Sequence, residues 1–232
     1  MVLILNRDDM IKILSMKDTM KAVENAFSQL YKGKAKLPLR TQIETEKGSI
    51  LYMPCYLDSY AIKVVSVFPQ NKKRGLPTIF ATVQINDPDT GKPQAIMEGG
   101  YLTAMRTGAT SGVATKYLAR KDSTIAGVIG TGVQARTQLW AVCEVRNIEK
   151  ALVYDVNLKA AKSFAGEMSK KLGIEISIDK KEETVKNSDI LILATTSQTP
   201  VTNGSWIEGK MHINSVGWAG PNGRELDSET VK

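Results

Sequence analysis

The residues with the clearest chemical meaning are Gly130-Thr131-Gly132-Val133-Gln134-Ala135. They form a G-x-G-x-x-A pattern between an apolar run, STIAGVIG, and a helical one. A turn of this type suits a pyrophosphate. The first glycine permits the tight turn, the second lets the backbone approach the phosphates, and the small third residue allows close helix–strand packing. The anion then rests on a helix N-terminus, where free N–H groups and the dipole favour negative charge. The pattern also expects an acidic residue about 20 positions further on, to accept hydrogen bonds from a ribose 2′-OH. Asp155 closes the run KALVYD, 25 positions after Gly130. Val156 and Asn157 follow it, with no arginine to receive a 2′-phosphate, so the pattern favours NAD over NADP. The competing reading is a glycine turn in a Rossmann-like domain that binds no dinucleotide. A second segment, Ala194 to Ser197, follows the apolar run DILIL. It would lie at the carboxyl edge of the sheet, where ligands bind, or it simply ends the strand.

Three cations stand out against apolar or small neighbours. Lys63 lies in YAIKVVSVF, and alternation puts it on one face with Ala61, Val65 and Val67. A buried, unpaired ammonium is costly, so Lys63 either snorkels at a sheet edge or faces a polar ligand. Arg106 is the one charged residue between Gly99 and Thr115. It either forms a structural ion pair or binds a ligand. Arg40, in LPLRTQI, is read as an exposed strand arginine or as a third member of the set. Together Arg40, Lys63 and Arg106 would suit a small carboxylate, which the arginine fork binds with two parallel hydrogen bonds.

The elements that must hold these residues change character near residue 120. Before it come a short strand, VLIL, and a helical pattern in which Ile11, Leu14, Met20, Val23, Phe27 and Leu30 recur at spacings suited to one helix face. Gly33 is its stop signal. The runs LRTQIET, SILYM, YAIKVVSVF, TIFATVQI and PQAIM read as strands, the last two joined by a DPDTG turn. This part is expected to be an antiparallel sheet with one packed helix. A long helix rich in small residues follows, from Gly99 to Ala119. After it, strands and helices alternate, with near-continuous apolar strands, as in a parallel sheet covered on both faces. The expected fold class is α/β: a Rossmann-type parallel-sheet domain over residues 119–232, beside an α+β substrate-binding and dimerisation domain over residues 1–118.

Composition narrows the function. Of 232 residues, 42% are apolar and 24% charged, which suits a packed globular protein. No run of 18 apolar residues marks a membrane span, and no signal segment is recognisable, so a cytoplasmic protein is expected. Two cysteines, Cys55 and Cys143, make no disulfide framework, and with one histidine they make no metal site. His212, in MHINSVG, is read as a satisfied strand residue rather than a base. The net charge of +7 favours anionic partners, but only 6% of residues are aromatic and no basic stripe suggests nucleic acid.

Taken together, LPLR, IKVVSVFP, GLPT, TAMRTGATSGVATKYLAR, GTGVQAR, YDVN, ATTS and SVGWAGPNGRELD resemble the ornithine cyclodeaminase/mu-crystallin family over nearly the whole chain. That family includes cyclodeaminases, archaeal-type alanine dehydrogenases and ketimine or imine reductases. The resemblance implies that Arg40, Lys63 and Arg106 contact an amino- or imino-acid substrate. It implies that Thr78, Arg106, Val133, Gln134, Asp155 and Thr195 contact the dinucleotide. Val216, Gly217, Trp218 and Ala219, with Arg224, would border the nicotinamide. It implies a homodimer built through the first domain.

Cyclodeaminase and alanine dehydrogenase members usually carry an aspartate in that last loop, as G-x-D. Here the loop is Gly217-Trp218-Ala219, and Asp227 further on is read as a helix N-cap. Similar proteins also continue beyond the position of Lys232, so the second domain is expected to be incomplete at its C-terminal end. The expectation is an NAD(H)-dependent oxidoreductase of a small amino or imino acid, with Lys63 as its catalytic acid/base. The alternatives are an ornithine cyclodeaminase and a non-catalytic, crystallin-like dinucleotide-binding protein.

Overall fold

A computed structural model describes residues 1–232, except Glu208, Trp218, Ala219, Pro221 and the side chain of Lys72. The chain forms two units, Met1–Met105 and Arg106–Lys232.

The first unit runs β1 (Leu3–Leu5), α1 (Arg7–Ile13), α2 (Met16–Tyr31), β2 (Thr41–Thr45), β3 (Gly48–Tyr56), β4 (Tyr60–Val67), β5 (Ile79–Asn86) and β6 (Pro93–Glu98). Its six-stranded sheet has the order β1-β6-β5-β4-β3-β2. The β5–β6 turn is set by Asp87, whose Oδ1 accepts from the Thr90 N–H at 2.9 Å and its hydroxyl at 2.8 Å, and by Gly91 at φ 71°. Two expectations change here. The sheet is mixed, because β1 pairs parallel with β6. The helical pattern also splits in two at Ser15, which caps α2 by accepting from the Asp18 N–H at 3.1 Å. The buried residues are Met10, Met16, Thr19 and Met20, while Ile11, Phe27 and Leu30 are exposed. Within α2 the apolar stripe continues through Phe27 and Leu30, but only its first turns are buried. Gly33 ends α2 as expected, with φ 71°.

The second unit takes most of α3 (Gly99–Leu118), then β7 (Ile125–Ile129), α4 (Val133–Cys143), β8 (Lys150–Tyr154), α5 (Leu158–Leu172), β9 (Glu175–Ile178), α6 (Lys181–Lys186), β10 (Ile190–Leu193), β11 (His212–Ser215) and α7 (Ser228–Val231). The division inside α3, earlier than the 118/119 boundary read from the sequence, has a packing reason. Gly99 lies against Ala81 of β5, where a Cβ would come within 2.8 Å of the Ala81 Cβ. Gly108 lies against Thr137 of α4, where a Cβ would overlap the Thr137 backbone. The two ends of the helix therefore serve different cores. Arg146 holds the far end, donating to the carbonyls of Thr115 at 2.8 Å, Ala119 at 2.6 Å and Arg120 at 2.7 Å. The Ala119 and Arg120 oxygens would otherwise be orphaned past the helix C-terminus, while Thr115 also accepts the Ala119 N–H at 3.1 Å.

The second sheet is parallel throughout, with order β11-β10-β7-β8-β9. β10 is wholly buried, as a strand covered on both faces must be. α5 buries Ala161, Phe164 and Met168 on one face. Asn157 caps its start by accepting from the Ala160 N–H at 3.1 Å, and left-handed Gly173 ends it. The strand order reverses at β7, the switch point at which open α/β sheets bind ligands. This is a Rossmann-type sheet.

Candidate functional site

At the switch point, β7 ends in Gly130 with φ 89°. A Cβ here would meet the Ala194 carbonyl oxygen at 2.6 Å and the Thr195 methyl at 2.9 Å. The glycine turn and the Ala194–Ser197 segment thus touch, and glycine is required for both conformation and space. Gly132 caps α4 with no side-chain hydrogen bond, and a Cβ there would meet open space. Among the described residues, no N-cap side chain takes up the first-turn N–H groups of α4. Val133 is exposed, Gln134 half-buried, and Ala135 fully buried against the sheet. The uncapped helix start and the open space over Gly132 fit a dinucleotide pyrophosphate.

Asp155, just past β8, faces this turn. Its Oδ2 accepts from the Thr131 N–H at 2.8 Å and from the Thr131 hydroxyl at 2.7 Å, while its Oδ1 accepts from the Asn157 N–H at 2.8 Å. An ionised carboxylate accepts about four hydrogen bonds, so capacity is left for a ribose hydroxyl. Sequence reasoning did not foresee the bonds to Thr131, nor the part played by Arg136. That guanidinium donates to the carbonyls of Thr131 at 2.7 Å and Gly132 at 3.1 Å and to Glu167 at 2.8 Å. It ties up the carbonyls of the turn.

The carboxyl edge continues through Thr195 and the residues after β11. Val216 donates its N–H to the Leu193 carbonyl at 2.9 Å. Glu225, 4% exposed, accepts from Thr195, Ser215 and Gly217. Nothing in the sequence pattern singled it out. Arg224 is exposed and donates to the Ser228 hydroxyl at 3.0 Å. Asp227 caps α7 as expected, accepting from the Thr230 N–H at 2.6 Å. Trp218 and Ala219 lie outside the described residues.

In the first unit, Lys63 sits on β4 opposite Met53 of β3 and Val83 of β5. β4 is central, so Lys63 is not at a sheet edge and the edge-snorkelling reading fails. Its face includes Val83, 8% exposed, and Ala81, 9% exposed, and is the covered face. Extending the β2–β3 ladder by one residue sets Arg40 beside Met53. Arg40 and Lys63 thus share a face and a row two strands apart, roughly 10 Å. Arg40 itself is exposed. Thr78 is half-buried just before β5 and accepts the Phe68 N–H through its carbonyl at 2.8 Å. Arg106 opens the second unit on α3. Desolvation lowers its guanidinium pKa, but an arginine stays charged near neutrality.

Cys55 shares the Lys63 face. Burial pushes its thiol up, and the charge of Lys63 partly opposes this. Burial, helped by Glu144, pushes Cys143 up to about 12, so this thiol is inert. His212 opens β11 as expected, but its Nε2 is buried without a hydrogen-bond partner among the described residues. A cavity of about 760 Å³ opens around Lys36, Cys55, Tyr56, Tyr60, Gln84 and Asn86, and none of the substrate or cofactor residues expected from the sequence lines it. Among the described residues, no group of three His, Cys, Asp or Glu could hold a metal, and no helix is long and apolar enough to cross a membrane.

Fold and edge geometry together define a protein with a Rossmann-type domain joined to an α+β domain. The model of the ornithine cyclodeaminase/mu-crystallin family matches residues 2–232, and the chain belongs to that family. The chain is 64% identical to Thermococcus litoralis Δ1-pyrroline-2-carboxylate reductase, solved in complex with NADH and L-proline. The match covers 99% of this chain and 73% of that one, with a TM-score of 0.96. An archaeal alanine dehydrogenase dimer with bound NAD is 41% identical over 99% of this chain and 72% of its own, with a TM-score of 0.95. Alanine dehydrogenase of Archaeoglobus fulgidus is 42% identical over 231 residues, 99% of this chain and 71% of its own length.

Proposed function

We propose that the chain is an NAD(H)-dependent oxidoreductase of a small amino or imino acid, acting as an imine reductase on a cyclic, proline-like imino acid. The observation that carries this reading is the carboxyl edge of the second sheet. There the Gly130 turn, the start of α4 and Thr195 adjoin, and Asp155 accepts from the head of the same turn. The 64% identity to a reductase complexed with NADH and L-proline supports the choice of cofactor and of substrate class. Ala219, where an acid/base aspartate would stand, supports reduction over cyclisation.

In this reading the Gly130–Ala135 turn holds the pyrophosphate, and Asp155 accepts from the adenosine ribose. Thr78 and Arg106 contact the dinucleotide. Thr195, Val216, Gly217 and Arg224 border the nicotinamide. Arg40 and Arg106 bind the substrate carboxylate, as paired guanidinium donors do. Lys63 transfers the proton at the nitrogen-bearing centre. The bound nicotinamide supplies the hydride chemistry, which belongs to the cofactor.

We infer a homodimer, and an exposed apolar face of the first sheet supports it. Ile4, Ile43, Phe80 and Ile96 point from it with exposures of 75%, 56%, 47% and 37%. Exposed apolar faces favour interfaces, and the archaeal relative is a dimer. Two unpaired cysteines suit a cytoplasmic protein.

The test is NADH oxidation with Δ1-pyrroline-2-carboxylate against pyruvate plus ammonium. The cyclic imine should turn over at least tenfold more efficiently. Preference for pyruvate would move the assignment to alanine dehydrogenase, and inertness with both, despite NADH binding, to the non-catalytic class.

A further inference from the structure

Glu225 carries a carboxylate to 4% exposure, a strongly disfavoured position unless its oxygens are satisfied. They are. Oε1 accepts from the Thr195 N–H at 2.7 Å and the Thr195 hydroxyl at 2.7 Å. Oε2 accepts from the Ser215 hydroxyl at 2.9 Å and the Gly217 N–H at 2.8 Å. Each oxygen faces one backbone N–H, a donor that cannot reverse, so both oxygens act as acceptors. The donors come from two segments, one after β10 and one at the end of β11. The carboxylate clasps the two together. Gly217 fits this clasp tightly, since a Cβ there would overlap Glu225 itself. The hydroxyl of Thr195 gives its only proton to Glu225 and accepts from the Ser197 N–H at 3.2 Å. Toward any ligand it can therefore act only as an acceptor.

We propose that Glu225 is a positioning residue for the nicotinamide end of the cofactor. It joins the Thr195 and Gly217 segments into one rim and holds the Thr195 hydroxyl as an acceptor aimed away from itself. The proposal rests on the dinucleotide-binding reading above. It differs in consequence, because the pyrophosphate and adenosine contacts belong to the Gly130 turn and Asp155, whereas the Glu225 carboxylate bonds to Thr195, Ser215 and Gly217.

Binding of NADH and of ADP-ribose, which lacks only the nicotinamide, separates the two ends. Glu225→Gln keeps the size of the side chain but sets an amide N–H against a fixed backbone donor. In titrations of the full chain, Glu225→Gln should weaken NADH at least tenfold and leave ADP-ribose within twofold of wild type. Thr195→Val should show the same selectivity, and the double variant should lose less than the product of the single losses. If Glu225→Gln fails to give a cooperative melt, Ser215→Ala carries the test. It removes one donor and leaves both backbone donors, and should weaken NADH about threefold with ADP-ribose unchanged. Equal weakening of both ligands, or of neither, overturns the positioning role. A wild-type chain that binds neither ligand overturns the dinucleotide reading and the proposal with it.

Discussion

Asp155 accepts two hydrogen bonds from one residue, Thr131, through its backbone N–H at 2.8 Å and its hydroxyl at 2.7 Å. The carboxylate expected to meet the ribose is therefore also a brace for the turn expected to meet the pyrophosphate. A 2′-phosphate beside it would face a fixed negative charge. NADH should bind at least tenfold better than NADPH, and equal affinities at moderate salt would remove Asp155 from the ribose. Asp155→Ala should weaken both cofactors, because the brace on Thr131 goes with it.

Gly130→Ala should damage fold and cofactor site together. The residue sits at φ 89°, and an added Cβ would come within 2.6 Å of the Ala194 carbonyl oxygen. A non-glycine residue held in such a region costs about 1–3 kcal/mol before any clash is counted. A lowered melting temperature and weaker NADH binding are expected. An unchanged melt would mean that the turn is not held as described.

Lys63→Met tests the catalytic lysine. The side chain is of similar volume, and β4 should keep its packing against β3 and β5. NADH affinity should change little, while turnover falls roughly 100-fold or more, the range for loss of a general acid/base. Melts with and without NADH, set beside steady-state rates, make the comparison. A large loss of melting temperature with turnover retained would reassign Lys63 to a structural role.

His212 predicts a pH dependence of stability. Burial lowers its pKa; a hydrogen bond with the Asn214 side chain opposes the shift and the charge of Arg146 adds to it. The unfolded chain, with a histidine near pKa 6.5, then binds more protons than the folded one below that pH. Its contribution to stability is complete above about pH 6.5 and is lost as the pH falls toward the lowered folded value. Denaturant melts between pH 7 and pH 5 should lose less stability in His212→Gln than in wild type. Parallel losses would clear His212 of the effect.

How much of this was legible without coordinates follows from the range of each interaction. The Leu158–Leu172 helix could be read from its apolar spacing between Asn157 and Gly173, signals that act within a few residues, and the Gly99 helix from its run of small residues. The parallel sheet could be read from the alternation of buried runs with helices, and Gly130 and Asp155 from a motif whose parts sit at short, regular intervals. The first unit was harder. Its strands were visible, but the parallel pairing of Leu3–Leu5 with Pro93–Glu98 joins segments far apart in the chain, and no local pattern encodes it.

The sequence by itself determined the α/β class, the glycine turn, its acidic partner and the three cations worth testing. The tertiary structure alone decided that Lys63 lies on a central strand, that the helix carrying Arg106 is divided between two cores, and that one face of the first sheet stands uncovered. It alone found Glu225. Thr195 and Glu225 are 30 residues apart, and a buried carboxylate and its donors leave no periodic trace. Their meeting depends on two strands ending side by side, which only the assembled sheet brings about.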